Sequence, residues 1–141
     1  MIKKVLAILS FLVIFLHSTY VNAEGFKYVE IFDPMQDKVV KVVQLNTQIQ
    51  DMIISWITNI EGLYKNDPAT DDGYVVKIPL DPVVKVNFKS FNALVSEVYI
   101  LIPENDPPCY LIFENENNLL SLPFNGAIDK LSNILDFKLR K

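Results

Sequence analysis

The stretch from Asp33 to Lys65 constrains the fold most, because it is the longest segment whose apolar residues keep a helical period. Asp33-Pro34-Met35-Gln36 reads as a helix start. Asp33 can accept from free amides, Pro34 suits the first helical position, and Gln36 can reach back from the third. At about 100° per residue, Met35, Val39, Val42, Ile49, Ile53, Trp56, Ile57 and Ile60 fall on one broad face. Asn66-Asp67-Pro68 supplies the stop, since proline disfavours helical backbone in the residue before it. The spacing predicts one long amphipathic helix over 34–65.

Three features strain that reading. Val39-Val40-Lys41-Val42-Val43 is β-branched enough to form a strand on propensity alone. Asn46 falls within the apolar face and Gln50 at its margin, so the helix carries amides toward whatever covers it. They are candidates for orienting a small ligand, although buried amides paired internally are the commoner arrangement. Length is the third: a helix over 34–65 measures about 46 Å, whereas a compact domain of this size is roughly 35 Å across. A break near Asn46-Thr47, or a projecting terminal turn, is expected.

Upstream, Lys3 and Lys4 precede an apolar run from Val5 to Leu16, and Val21-Asn22-Ala23 makes a small-residue cleavage site. As a helix that run covers about 18 Å, short of the ~30 Å hydrocarbon core. Residues 1–23 are therefore read as a signal peptide cut after Ala23, and 24–141 as a single exported α+β domain, secreted or held in the periplasm or cell envelope. The membrane is met only through the signal segment before cleavage.

Export decides how composition is read. The chain has 13 Lys and Arg against 17 Asp and Glu, and the signal segment removes Lys3, Lys4 and the only histidine, His17. What remains is mildly acidic without a basic cluster, which argues against nucleic acid as a partner. Without histidine it cannot build a Ser-His or Cys-His nucleophile or a histidine-bearing zinc site, and Cys109 alone cannot replace those ligands. No glycine-rich phosphate loop or dinucleotide fingerprint is present, so no cofactor is expected. The oxygen-rich loop Asn66 to Gly73 lacks the alternation of a calcium loop. Carboxylate pairs stay open, but most acids sit in turns, where they serve solubility and local hydrogen bonding. Glu97 differs, because it adjoins an apolar run and its pKa would shift if it pointed inward.

The rest of the chain reads as sheet. Phe26 to Phe32 is a candidate first strand, Tyr74–Leu80 and Val83–Phe88 alternate, and Asp81-Pro82 separates them as a turn. Ser90 can cap a short helical turn. Val98–Pro103 and Tyr110–Phe113 are apolar on both sides and should be central strands covered on both faces. Cys109–Phe124 reads as a hairpin, and Asn125 caps a short last helix. The fold expected is α+β: a long N-terminal amphipathic helix on a mostly antiparallel sheet of about five strands, with a short C-terminal helix.

These observations favour an exported, non-enzymatic interaction or binding domain, its partner another exported or envelope protein. The alternative is a small-ligand sensor or carrier with an apolar pocket between helix and sheet. Asn46, Gln50, Trp56 and Glu97 are the candidate pocket or interface residues. A carboxylate-based hydrolase is the third reading.

Overall fold

A computed structural model describes residues 25–62, 71–88 and 91–140. Six strands form one antiparallel sheet: β1 (Tyr28–Asp33), β2 (Lys38–Gln44), β3 (Tyr74–Phe88), β4 (Phe91–Ile102), β5 (Cys109–Asn115) and β6 (Asn118–Pro123). Their order is β2-β1-β3-β4-β5-β6. Two short helices accompany them, α1 (Thr47–Ile57) and α2 (Ile128–Leu135). The molecule is mostly sheet.

The long N-terminal helix expected over 34–65 is overturned, and its first third is half of a β-hairpin. Asp33 does accept from the amides of Met35 (2.9 Å) and Gln36 (3.3 Å) and from the Gln36 side chain (2.6 Å). That bonding closes a turn instead of opening a helix, because Asp37 takes a left-handed φ of 55° and reverses the chain. Capping and turn closure use the same aspartate chemistry, so the motif does not distinguish them. The β-branched run then pairs with β1, Val43 opposite Val29 and Val42 opposite Glu30. Strand propensity prevailed over helical periodicity.

The true helix begins at Thr47, where the length argument placed a break. Asn46 keeps extended backbone and its side-chain oxygen accepts from the Ile49 amide at 2.8 Å, so it is the N-cap. At the other end Thr58 Oγ1 (3.2 Å) and Asn59 Nδ2 (2.7 Å) donate to the Ser55 carbonyl, satisfying one of the carbonyls the last turn leaves free. The 11 residues between span about 16 Å, which fits across a sheet.

Strand β3 runs straight through Asp81-Pro82, where a turn was expected; this peptide is cis, and the pairing with β4 shifts register between Pro79 and Val84. Proline has no ladder donor, and β1 meets β3 only over Val75–Lys77, so beside Pro79 and Pro82 one side of β3 has no strand neighbour among the described residues. The helical turn expected after Ser90 is also absent: Ser90 lies outside the described residues, and β4 starts at Phe91. Gly73 has φ +70° as the chain enters β3, and a Cβ there would come within 1.9 Å of the Ile102 carbonyl oxygen. Only glycine fits.

Period-2 alternation sorts the strand side chains onto two faces. Val29, Ile31, Val76, Ile78, Ile100, Ile102, Tyr110 and Ile112 point to one of them, where Ile49, Ile53 and Ile57 of α1 and Leu131 and Leu135 of α2 cover them. Each of these isoleucines and leucines contributes about 1.5–3 kcal/mol by leaving water. A polar clasp closes the same side: the Tyr110 hydroxyl donates to Asn125 Oδ1 (2.7 Å), and Asn125 Nδ2 donates to the Trp56 carbonyl (2.8 Å). Asn125 therefore joins sheet to helix instead of capping α2, whose N-cap is Ala127.

Ile53 stands in the middle of this contact and is fully buried. We expect Ile53→Ala to lower the unfolding free energy by about 2–5 kcal/mol in chemical denaturation, with an unchanged slope.

Candidate functional site

The opposite face of the sheet is where apolar surface and charge converge. Phe32 of β1, Val75 of β3, Tyr99 and Leu101 of β4, and Cys109 and Leu111 of β5 form a second buried cluster, rimmed by the partly buried Val39, Phe113 and Leu119. Every described member of this cluster is a strand residue. Among the described residues no helix lies across it.

Three charged side chains from adjacent strands cross this face. Lys77 of β3 lies opposite Glu30 of β1, and its ammonium is 3.7 Å from the Glu30 carboxylate and 3.8 Å from that of Glu97 on β4. These are ion pairs, too long for hydrogen bonds. Glu30 and Lys77 are 1% and 2% exposed, so water contributes almost nothing to solvating them, whereas Glu97 remains about one-third exposed. Burial pushes the Glu30 carboxyl above its ordinary value of 4.5; Lys77 pulls it down and Glu97 pushes it up. Neither Glu30 oxygen has a hydrogen-bond partner among the described residues.

Tyr99 completes the group by donating its hydroxyl to Glu97 at 3.0 Å. Burial, then the Glu97 charge, hold that phenol well above its usual range, so it stays protonated and acts as a donor. Cys109 is chemically quiet: burial pushes its thiol up to about 11, against a smaller opposing pull from Ser121. Beside this group, a depression of about 400 Å³ opens between the ends of β4 and β5. Its walls combine Leu94, Tyr99 and Phe113 with Glu97, Glu114 and Glu116, an apolar floor with an acidic rim.

The four sequence-predicted site residues do not come together. Asn46 is spent on the helix cap. Gln50 makes two bonds to one backbone unit, accepting from the Asp81 amide (3.0 Å) and donating to the Asp81 carbonyl (2.8 Å). Trp56 packs edge-on against Phe124, with ring centroids 5.5 Å apart, and lies over Gly126, where a Cβ would come within 2.5 Å of the indole. All three belong to the helix-covered side, and the space between α1 and the sheet is filled by Ile49, Ile53 and Ile57. Only Glu97 lies on the other face, tied to Lys77 and Tyr99. Sequence reasoning missed Glu30 and Lys77. The signal was present in Val29-Glu30-Ile31-Phe32, where alternation places Glu30 on the face opposite Val29 and Ile31.

Among the described residues no group of three or more His, Cys, Asp or Glu could hold a metal ion, and no helix is long and apolar enough to cross a membrane. The calcium-loop candidate at 66–73 lies outside the described residues except for its last three positions. Compared with protein-family models, curated proteins and solved structures, the chain matches none.

Lys77→Met would leave the Glu30 carboxylate buried without its nearest counter-charge. We expect a loss of about 3–5 kcal/mol in denaturant unfolding at pH 7, partly recovered when Glu30→Gln is added. The pH dependence has a definite sign. Because the folded-state value of Glu30 lies above the unfolded one, the native chain holds this proton at pH values where the unfolded chain has released it. The contribution of Glu30 to stability therefore rises as pH falls through the raised value, and levels off below about 4.5. The stability difference between the native sequence and Glu30→Gln should move toward the native sequence across that window; a difference flat from pH 7 to 4 would contradict the assignment.

Proposed function

We propose that the chain is an exported, non-enzymatic interaction domain whose docking surface is the helix-free face of the sheet. The observation that carries this reading is the asymmetry of the two faces. Both described helices pack on one side, while on the other a buried apolar cluster with a partly buried rim of Val39, Phe113 and Leu119 is crossed by Glu30, Lys77 and Glu97, with no helix over it among the described residues. Large apolar patches rimmed by polar groups mark sites of association. A desolvated charge pair within such a patch adds orientation, because a misplaced partner leaves charges unpaired.

Export rests on the pattern of residues 1–23, which lie outside the described residues. The partner is then another exported or envelope protein, and the acidic rim of Glu97, Glu114 and Glu116 favours one with a basic edge. A ligand carrier with its pocket between helix and sheet is not favoured, because that space is filled and Asn46 and Gln50 are committed to backbone groups. Nor does the geometry favour a carboxylate hydrolase: Glu30 and Glu97 converge on an ammonium, and Glu30 has no access to water.

Val39 and Leu119 sit on the rim of the cluster, partly buried, where charge is tolerated better than at its centre. With the domain cleaved after Ala23 as bait in envelope extract, we expect Val39→Glu combined with Leu119→Glu to abolish capture of the partner. Lys130→Glu, exposed on α2, should leave capture unchanged. A captured protein equally retained by both variants, or none retained by the native face, would refute the reading.

A further inference from the structure

The ladder between β4 and β5 is shorter than either strand. It joins Tyr99–Leu101 to Cys109–Leu111, although β4 reaches back to Phe91 and β5 on to Asn115. Where the pairing stops, the depression of about 400 Å³ opens on the helix-free face. The rings of Tyr99 and Phe113 line it, edge to face with centroids 6.4 Å apart, and Leu94 beside them is 68% exposed. Its rim is acidic. Glu97 accepts from the Tyr99 hydroxyl and lies 3.8 Å from Lys77, and Glu114 accepts from Asn118 Nδ2, so both carboxylates are held in place by neighbours. Among the described residues neither Glu114 nor Glu116 has an ion-pair partner, and Lys85, which faces Leu94 across the β3–β4 ladder, does not line the opening.

We infer that this opening takes one arginine side chain of the partner protein, its guanidinium against the Tyr99 and Phe113 rings and its donors on Glu97, Glu114 and Glu116. The inference rests on the reading of the helix-free face as the docking surface, and names the side chain by which the partner is recognised there. The lining excludes the other occupants one by one. An anion would meet three carboxylates. An apolar side chain would cover the rings and Leu94 but strip water from the rim without replacing its hydrogen bonds. A lysine ammonium is a compact, strongly hydrated point charge that gives up water reluctantly. A guanidinium is planar and more weakly hydrated, stacks on aromatic faces, and aims five donors outward in a fixed fork that suits carboxylates. An aromatic floor with carboxylates around it matches both parts of that group. Because neighbours already hold Glu97 and Glu114, little ordering remains to be done when the side chain enters.

The probes are N-acetyl-L-argininamide, its lysine counterpart and its citrulline counterpart, which keeps nearly the shape of arginine without the charge. Each is titrated into the full chain and followed by amide NMR shifts. Arginine should move the Leu94, Phe113 and Glu116 amides, with the citrulline probe about tenfold weaker and the lysine probe about threefold weaker. Glu114→Gln combined with Glu116→Gln should weaken arginine binding about tenfold, and Phe113→Leu about threefold. Glu116→Gln alone, in the exposed β5–β6 turn, should weaken it without disturbing the rest of the spectrum, and Asp129→Asn, exposed on α2, should leave it unchanged. Added salt should weaken it as well. No arginine-induced shift at these amides, equal binding of the citrulline or lysine probe, or binding indifferent to Glu114 and Glu116 would overturn the inference. If the probe fails while capture of the partner still depends on Val39 and Leu119, the docking face stands without this subsite. If the probe binds as expected but capture does not depend on Val39 and Leu119, the arginine site stands and the docking reading falls.

Discussion

Lys77 fixes the register of the three central strands. Its ammonium is almost completely removed from water, and an ion so placed is tolerable only with opposite charge close by. Glu30 from β1 and Glu97 from β4 supply that charge from either side. Slipping β1 or β4 by one residue against β3 would turn its glutamate to the helix-covered face, leaving Lys77 short of a partner and a carboxylate among isoleucines. The apolar alternation of β1 and β3 enforces the same register independently, since Ile31 meets Val76 on the other face. Polar and apolar specification coincide, which is why the sheet has one arrangement.

From that register follows the division of labour between faces. The side bearing Val29, Ile31, Val76, Ile78 and Ile100 is closed by α1 and α2. Asn46 and Thr58 satisfy the two ends of α1. The Tyr110–Asn125–Trp56 chain then ties the centre of the sheet to the end of α1, so the helix cannot shift without leaving a buried hydroxyl unpaired. Burial holds that hydroxyl protonated, against the weaker pull of Asn125, as its role of donor requires. This half of the molecule is a finished core. Its candidate binding residues are consumed by structure.

Much of the sheet could be read from alternation, and the reasons for the failures are specific. The β5–β6 hairpin is legible because two apolar runs flank a polar turn, and the last helix because Ile128, Leu131 and Leu135 share a face. The 34–46 region misleads because Asp-Pro-Met-Gln can cap a helix or close a turn, and because valines at 39, 42 and 43 satisfy both periods in a short window. What decides between them is the pairing partner at 28–33, a non-local fact that propensity does not contain. Asp81-Pro82 misleads for a related reason: proline ends a strand only where its missing donor is needed, and among the described residues the short β1 leaves one side of β3 without a neighbour there. At the site, Glu97 was legible as an acid beside an apolar run. Glu30, whose carboxyl burial pushes up, was not, because burial follows from neighbouring strands and not from sequence context.

The charged row also constrains what the helix-free face can be. In a closed core, an ion pair of this kind is commonly no better than well-packed apolar residues of the same volume, since the cost of desolvation offsets the attraction. Here Glu30, Lys77 and Glu97 interrupt the apolar cluster of Phe32, Val75, Leu101 and Leu111 with charge. A row of charge through the middle of an apolar face therefore gains little in stability over apolar residues, and what it fixes is the register of the strands that carry it.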